Sequence, residues 1–397
     1  MPESAVVRWP APAPTHLEAL ERVIRSGKYH RVNHPIVTEL ELGFGKWAGG
    51  ILVRAVNSCT AALHVALSYF SRKEHVVAAA ALNWPGAIAP IAFSGAEPCF
   101  LDVSLQSGCL DDDSVVTAIN GKTSTLLVTH LFGNLAPVGV AREQAKRKGI
   151  AVVDDCAQAV SAVNDIGSSS DACAHSGNGS KHIGAGELGL LATQNPKLIA
   201  HVDLLSLSSS ARDGGRTFSP STEGYNYRPN VFSAAIALAR LANLDDQIAS
   251  RRANAKLLWR LISGLPGLEP LFDPAGDADS FCSFPLRLDF RQMPLPNTAA
   301  SRDLVVDLLA REGVPASVWL KEPAWYYLPR WRDRFRLRDY PNTLRLLNTM
   351  FHVTEIAPPN SEQTMRLYGE AFHKVWEALP FLHDLVPNEG GRNVGEG

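Results

Sequence analysis

No stretch of about 18 consecutive apolar residues, the length that a bilayer-spanning helix needs, occurs in this sequence of 397 residues. The N-terminus, MPESAVVRWPAPAP, also lacks the basic start and apolar run of a secretory signal. The net charge of -2 offers no positive excess for a phosphate backbone, and no stripe of aromatic and basic residues is visible. We therefore expect a globular cytoplasmic protein that binds neither membranes nor nucleic acids.

Cysteine is scarce, and the six thiols form neither a CxxC pair nor the Cys/His spacing that is typical of a zinc site. The histidines likewise show no paired spacing that would suit a metal ion. We expect reduced, mostly buried thiols and no metal site. The cysteines are Cys59, Cys99, Cys109, Cys156, Cys173 and Cys282.

The chain has enough length, 397 residues and 43.0 kDa, for more than one core. From about residue 52, short β-rich runs (VVAAA, LLVTH and IAVVDD) are separated by helical stretches such as 59–70 and 138–148. This alternation predicts an α/β domain in which crossover helices connect the strands of a mostly parallel sheet.

The last third of the chain has a different pattern. A strand-like segment, SFPLRLDF, is followed by a helical segment, SRDLVVDLLAREG, and this order predicts a smaller α+β domain. Residues 232–262 keep a helical periodicity throughout and predict one long helix that joins the two domains. The predicted division is an N-terminal arm and helix at 1–25, a large domain at 26–250, a small C-terminal domain at 251–388 and a disordered tail at 389–397.

Two residues carry most of the chemical signal. Asp155 ends the apolar strand IAVVDD, and ligands of open α/β sheets bind outside such strand ends. The alternative is that Asp154 or Asp155 only caps the next helix. Lys181 lies in the Gly-rich segment SGNGSKHIGAGELG, where it has no helical or core role. A pocket that desolvates it would lower its pKa and make it a nucleophile toward an aldehyde; otherwise it is a solvated surface lysine.

Five ordered motifs together resemble the DegT/StrS family of pyridoxal-phosphate (PLP) sugar aminotransferases, over about residues 26–262. In that family a strand-ending serine precedes the Schiff-base lysine by five residues, and a Gly-Glu-Gly-Gly turn follows; Ser176, Lys181 and 186–189 have this spacing. The other motifs are NSCTAAL at 57–63, LNW at 82–84, DDCAQ at 154–158 and GYNYR at 224–228.

The resemblance implies PLP fold type I, with a large domain and a smaller C-terminal α+β domain, and a cofactor held by Lys181 as an internal Schiff base. It assigns Asp155 to the pyridine nitrogen, whose proton a carboxylate stabilises. Gln158 would donate to the phenolic oxygen. Cys59 and Thr60, at the start of the helix TAALHVALSYF, would bind the phosphate together with Ser176.

Further assignments concern the ring and the substrates. Trp84 would stack on the pyridine ring, with core packing as the alternative. Asn226 would reach the phosphate of a neighbouring subunit, which implies a homodimer with shared sites. Asn178 is a candidate substrate contact. Tyr29, in the loop after the first predicted helix, and His130, at a strand end, are further candidates, with a satisfied structural histidine as the alternative for His130.

The sequence departs from the family pattern at three positions. Cys59 replaces the glycine of the Ser-Gly-Thr turn, Gly177 replaces a bulky residue, and Leu188 replaces a glycine. Near the lysine, a large side chain is therefore lost at Gly177 and gained at Leu188. This exchange indicates either a reshaped acceptor pocket or a compensated packing change.

The function implied is transamination of a nucleotide-linked keto sugar or a keto cyclitol, with glutamate or glutamine as donor, in secondary-metabolite or cell-surface sugar biosynthesis. Two alternatives remain. Some relatives carry histidine in place of the lysine and are sugar dehydratases, which Lys181 argues against. A non-catalytic PLP-binding regulatory protein is the other, and the complete set of Asp155, Gln158, Ser176 and Lys181 argues against it.

Overall fold

Seven strands form one sheet in the computed structural model: β1 (Leu52–Val56), β2 (Val76–Ala80), β3 (Glu97–Leu101), β4 (Thr123–Thr129), β5 (Ala151–Asp155), β6 (Ala172–Ser176) and β7 (Gly189–Thr193). Their spatial order is β1-β7-β6-β5-β4-β2-β3. All pairings are parallel except those of β7, which runs antiparallel to β1 and β6. The mostly parallel sheet that the sequence predicts is therefore confirmed.

The structure describes residues 6–31, 34–71, 75–166, 169–207, 209–212, 215–218, 224–276 and 279–382. The helices up to residue 241 are α1 (Pro14–Ser26), α2 (Ile36–Trp47), α3 (Cys59–Phe70), α4 (Pro85–Phe93), α5 (Asp112–Ala118), α6 (Gly139–Arg147), α7 (Ala162–Ile166), α8 (Pro196–Leu207) and α9 (Val231–Leu241). A separate two-stranded antiparallel sheet consists of β8 (Ser209–Arg212) and β9 (Gly215–Phe218).

Neighbouring residues of the central strands enter cores on opposite faces of the sheet. Leu126 and Val152 belong to a core that includes residues of α5 and α6. Leu127 and Val153 belong to another core, with residues of α3, α4 and α8. Helices therefore cover both faces, which explains why the strands read as continuous apolar runs.

The long helix predicted over 232–262 is two helices, α9 and α10 (Leu244–Ile262), separated by Ala242 and Asn243. Ile248 of α10 packs in the core of α1, α2 and α9, whereas Leu258 packs in the core that contains the C-terminal domain. One helix thus contributes to both parts of the chain, and the boundary predicted at 250/251 falls inside it. That boundary stays a prediction.

The C-terminal part is built on a four-stranded antiparallel sheet in the order β10-β11-β13-β12. Its elements are β10 (Leu268–Pro270), β11 (Phe284–Leu288), α11 (Ala299–Arg311), β12 (Ala316–Ser317), α12 (Pro341–Thr349), β13 (Met350–Val353) and α13 (Glu362–Ala378). This arrangement is the α+β domain predicted from the sequence. The tail predicted as disordered, 389–397, lies outside the described residues. None of the helices in the described ranges has the length and apolar character that crossing a bilayer requires.

Candidate active site

A cavity of about 540 Å³ lies at the C-terminal ends of the parallel strands and is closed by residues of the small domain. Parallel strands end at the same edge of a sheet, so residues that follow different strands converge there. Of the residues predicted to form the site, all except Tyr29 and Asn226 line this cavity: Cys59, Thr60, Trp84, His130, Asp155, Gln158, Ser176, Asn178 and Lys181.

Asp155 is a buried carboxylate with few partners. Its Oδ1 accepts the backbone N–H of Ala157 at 3.0 Å and contacts the Sγ of Cys59 at 3.8 Å. Burial raises the pKa of Asp155, and the Ala157 hydrogen bond and the positive charge of Lys181 oppose that rise. A cation beside this carboxylate would offset its desolvation, which is what a protonated pyridine nitrogen offers. The thiol of Cys59, absent from the family's turn, is accommodated against this carboxylate.

Asp154 has a different environment. It accepts hydrogen bonds from the guanidinium of Arg142, from Nε2 of His130 at 2.9 Å and from the hydroxyl of Ser170. Nδ1 of His130 accepts the N–H of Ala136 at 3.0 Å. Both ring nitrogens of His130 are therefore engaged, which supports the structural alternative for this cavity-lining histidine.

The turn between β1 and α3 has the form of an anion site. Ser58 caps α3 by accepting the N–H of Ala61 at 3.2 Å, and the N–H groups of Cys59 and Thr60 lie in the first helical turn, where no preceding carbonyl is available. A Cβ atom added at Gly189 would lie 2.2 Å from the carbonyl oxygen of Ser58. Only glycine at 189 allows β7 to approach this turn so closely.

The loop after β6 presents Lys181. Its backbone N–H donates to the carbonyl of Asn178 at 2.9 Å, and its carbonyl accepts Nε1 of Trp9 at 2.8 Å. Within the described residues, the ammonium group of Lys181 has no hydrogen-bond partner. The neighbouring His182 is buried outside the cavity, and its Nε2 is hydrogen-bonded to the carbonyl oxygen of Ser280. Lysine, not histidine, is thus the residue that faces the cavity.

Three side chains complete the wall around this lysine. Oε1 of Gln158 accepts the N–H of Phe132 at 2.7 Å, which leaves its amide N–H groups to donate. Nδ2 of Asn178 donates to Oε1 of Glu187 at 3.0 Å. Trp84 is 53% exposed and stacks on Trp319 with the ring centroids 6.4 Å apart. Such exposure disfavours the core-packing alternative for Trp84.

The departures at 177 and 188 are coupled in space. A Cβ atom added at Gly177 would lie 2.8 Å from Cβ of Leu188, and Leu188 is buried while also lining the cavity. The leucine therefore fills the volume that a side chain at 177 would need. This geometry supports a compensated packing change in the cavity wall.

Tyr29 and Asn226 lie elsewhere. The hydroxyl of Tyr29 donates to the carbonyl of Ile24 and its ring packs on Phe232, so in this chain it does not reach the cavity. Asn226 has a left-handed backbone, with φ of 57°, and it is exposed. The role predicted for it concerns the site of a neighbouring subunit.

Sequence reasoning missed a group of cavity residues that come from the N-terminal arm, the loop after β4, α10 and the small domain. Of these residues, only Arg251 could have been identified from the sequence pattern, because it occupies the buried face of α10 between Ile248 and Ala255. A charged residue at an apolar position of that periodicity is unusual. The missed residues are Trp9, Phe132, Arg251, Trp319, His352 and Glu355.

The model of the DegT/DnrJ/EryC1/StrS aminotransferase family matches residues 12–366 of this chain. An L-glutamine:2-deoxy-scyllo-inosose aminotransferase of Streptoalloteichus tenebrarius is 30% identical over 357 residues, which cover 83% of this chain and 82% of the relative. Both comparisons extend the resemblance seen in the motifs to most of the chain, including the C-terminal part.

Two solved structures are similar over nearly their full length. A 3-amino-5-hydroxybenzoic acid synthase has a TM-score of 0.83 at 23% identity and covers 93% of this chain and 98% of its own. A putative sugar aminotransferase of Streptococcus pneumoniae, in its PMP form, has a TM-score of 0.84 at 18% identity. It covers 96% of this chain and 100% of its own. The predicted PLP fold type I is confirmed by this likeness. The chain belongs to the DegT/DnrJ/EryC1/StrS aminotransferase family and is a PLP-dependent aminotransferase.

Proposed function

We propose that the enzyme transfers the amino group of glutamate or glutamine to a keto cyclitol or to a nucleotide-linked keto sugar, in secondary-metabolite or cell-surface sugar biosynthesis. The observation that carries the proposal is the position of Lys181 and Asp155 in one cavity. The relative named as an L-glutamine:2-deoxy-scyllo-inosose aminotransferase supports this choice of donor and acceptor.

The residues that would hold the cofactor are those whose environments fit its parts. PLP, when bound, supplies an aldehyde that condenses with amines and a pyridinium ring that accepts electrons. The first turn of α3, with Cys59 and Thr60, and the hydroxyl of Ser176 would bind the phosphate. Asp155 would keep a proton on the ring nitrogen. The free amide N–H of Gln158 would donate to the phenolic oxygen.

Lys181 would have two roles in sequence. Its amine would first hold the cofactor covalently, and the donor amine would then displace it. The freed amine would carry a proton from the α-carbon of the donor to the cofactor, and in the acceptor half-reaction it would carry a proton from the cofactor to the acceptor carbon. Because Lys181 has no competing hydrogen bond among the described residues, its amine can serve both steps.

The aromatic side of the cavity suits a ring-shaped acceptor. Trp319 lies between Trp84 and Phe132, with ring centroids 6.4 Å and 5.2 Å away. Flat apolar faces of this kind can pack against the C–H face of a cyclitol or sugar and keep water from the reacting carbon.

Asn226 supports the homodimer that is part of this proposal. It lies between Tyr225 and Tyr227, whose rings stack at 5.4 Å, and the carbonyl of Tyr227 accepts the N–H of Asn57 at 2.9 Å. The segment is thus fixed beside the β1–α3 turn, with Asn226 exposed and free to reach a partner's phosphate. The six free cysteines agree with the cytoplasmic location that we also propose.

The direct test is a pair of half-reactions. Purified protein loaded with PLP is mixed with single amino donors while the cofactor spectrum is followed, and the aminated form is then mixed with keto cyclitols or keto sugars. We expect glutamine or glutamate to convert the spectrum and a keto acceptor to restore it. A spectrum that responds to no amino donor would favour the regulatory alternative, and acceptor dehydration without amination would favour the dehydratase.

Shared sites have their own test. Lys181→Ala and Asn226→Ala variants should each be weakly active or inactive alone, and their subunits are mixed and reassembled. If Asn226 acts across the interface, a mixed dimer has one site with both substitutions and one intact site, so activity returns. Activity that stays at the level of the separate variants would contradict sharing.

A further inference from the structure

The loop that presents Lys181 depends on contacts with other parts of the chain. Four of the ten residues at 177–186 are glycines, which lose more conformational freedom on folding than other residues. Two of the anchors lie on consecutive carbonyl oxygens. That of His182 accepts the side-chain amide of Gln247 in α10 at 2.9 Å, and that of Lys181 accepts the indole Nε1 of Trp9 at 2.8 Å. The backbone of the lysine is thus held by a residue that is distant in sequence.

Trp9 belongs to a short N-terminal arm, residues 6–13, whose main chain is bonded to the small domain. The N–H of Val7 donates to Oδ1 of Asn360 at 2.9 Å, and its carbonyl accepts Nδ2 of the same side chain at 2.7 Å. The backbone N–H of Trp9 donates to Oε2 of Glu355 at 2.8 Å. Both acceptor residues follow β13. The main chain of the arm therefore follows the small domain, while the indole of Trp9 reaches the lysine loop.

The indole of Trp9 is fixed by its neighbours. The Cζ atoms of Arg240 and Arg251 lie over its ring, 4.6 Å and 4.9 Å from the centroid, so two cation–π contacts restrict its rotation. A Cβ atom added at Gly184 would lie 3.1 Å from Nε1 of Trp9, which shows how closely the loop approaches the ring. These contacts set the direction of the indole N–H toward the carbonyl of Lys181.

We propose that Trp9 is a positioning residue for Lys181: its indole N–H holds the backbone carbonyl of the lysine and thereby fixes the point from which the amine enters the cavity. The inference rests on the proposed function, in which the amine of Lys181 replaces the aldehyde oxygen of PLP, which leaves as water. That reaction needs the amine at the aldehyde carbon, so a loop held in place should capture the aldehyde faster than a loop that moves. The ring and the phosphate would be bound by Asp155 and the β1–α3 turn, independently of Trp9.

The test starts from the apoprotein and uses two probes that differ in one group. PLP carries the aldehyde, whereas pyridoxine 5′-phosphate carries an alcohol in its place and cannot condense with an amine. Capture of PLP is followed by its visible absorbance, and binding of pyridoxine 5′-phosphate by calorimetry. Trp9→Phe keeps a ring beside the two guanidinium groups but loses the N–H, so PLP capture should slow by about 5- to 10-fold. Pyridoxine 5′-phosphate should bind as it binds the wild type.

Hydrogen exchange of the apoprotein reports on the loop without any cofactor. The amide of Lys181 donates to the carbonyl of Asn178 at 2.9 Å, and the amide of Ala185 donates to that of Gly177 at 2.8 Å. Both bonds must open for exchange, so both amides should exchange faster in Trp9→Phe. The amides of β5 should keep their wild-type rates.

A second variant acts on the arm from outside the cavity. Asn360→Ala removes both hydrogen bonds to Val7 and leaves the indole of Trp9 in place. It should change loop exchange and PLP capture in the same direction as Trp9→Phe, by a smaller factor. Trp47→Phe is the matched control, because it removes an indole N–H that donates to Asp245 at 2.8 Å, and neither residue is among the described residues that line the cavity. This control should match the wild type in every measurement.

The outcomes separate the role of Trp9 from the proposed function. Slower PLP capture and faster loop exchange, with unchanged binding of pyridoxine 5′-phosphate, would support the role of Trp9. Equal weakening of both probes would show that Trp9 shapes the cavity as a whole, and would overturn a role through Lys181. Unchanged PLP capture or unchanged loop exchange would overturn it as well. Borohydride reduction and peptide mapping identify the amine that captures PLP in the wild type, and capture at another lysine, or none, would overturn the proposed function itself.

Discussion

Asp154 and Asp155 are consecutive in β5, yet their carboxylates serve opposite faces of the sheet: Asp154 accepts from Arg142 of α6, whereas Asp155 contacts Cys59 of α3. Successive side chains of a strand point to opposite sides, so the two acids cannot share a role. Arg142 holds the pKa of Asp154 well below its usual range, while burial raises that of Asp155. One acid is a structural ion-pair partner, and the other faces the cavity.

Asp155→Asn should therefore lower turnover, whereas Asp154→Asn should lower stability. Asp155→Asn keeps the shape of the cavity but loses the charge that faces it, so turnover should fall by about 100- to 1000-fold while cofactor is retained. Asp154→Asn leaves Arg142 without its buried counter-ion and should lower the free energy of unfolding by about 3–5 kcal/mol. Turnover, cofactor content and urea unfolding of both variants check this, and normal turnover of Asp155→Asn would remove it from the mechanism.

Lys181→Ala should abolish both the visible absorbance of the covalently held cofactor and the donor half-reaction. The chain has other amines, but among the described residues Lys181 is the lysine that lines the cavity. Lys197→Ala, which changes an exposed lysine of α8, is the matched control and should retain both signals. The assignment fails if Lys181→Ala keeps the absorbance and the half-reaction.

Gly189→Ala should disrupt the β1–α3 turn. The added Cβ would lie 2.2 Å from the Ser58 carbonyl oxygen and 2.7 Å from the Cys59 nitrogen, so the turn must move. We expect a loss of at least about 2 kcal/mol of stability and faster release of cofactor on dialysis. Gly179→Ala is the control, since nothing lies within 4 Å of a Cβ at that position. Equal behaviour of the two variants would show that the close approach is unimportant.

The two buried histidines His175 and His352 should contribute less to stability as the pH falls below 6.5. Burial lowers the pKa of His175 to about 3 and that of His352 to about 4, from the usual value of 6.5. Between 6.5 and about 4 the unfolded chain binds protons that the folded protein excludes, so unfolding is favoured progressively in that window. Thermal unfolding of the apoenzyme at about pH 7.5 and about pH 5 measures the summed effect of all groups, and the raised pKa of Asp279, about 6, acts with the opposite sign. The contribution of a histidine is therefore isolated by comparing the wild type with a variant that lacks it.

His175→Leu tests the origin of this acid sensitivity. The imidazole packs edge-on against Phe44 with a centroid distance of 5.0 Å, and neither of its nitrogens has a hydrogen-bond partner among the described residues. The leucine should therefore keep the stability near pH 7.5 and reduce the loss at about pH 5. An unchanged difference between the two pH values would exclude His175 as a contributor.

The parts of the site that the sequence predicted are those encoded in short segments. Asp155 and Gln158 flank one turn after β5, and Ser176, Asn178 and Lys181 lie within one loop, so their spacing alone brings them together. The break between α9 and α10 was missed because the apolar periodicity runs through it, and of the two residues between the helices only Asn243, with φ of -121° and ψ of 20°, leaves the helical conformation. The meaning of the Gly177 and Leu188 departures needed the 2.8 Å approach across the β6–β7 turn.

The sequence by itself determined the alternation of strands and helices, the family, and the lysine and aspartate at the strand ends. These depend on local periodicity and on motifs of a few residues, which each segment carries alone. Only the tertiary structure decided that Trp9, Arg251 and Glu355 meet at one side of the cavity. They are separated by most of the chain, and their approach results from packing of the arm, α10 and the small domain, which no local pattern encodes.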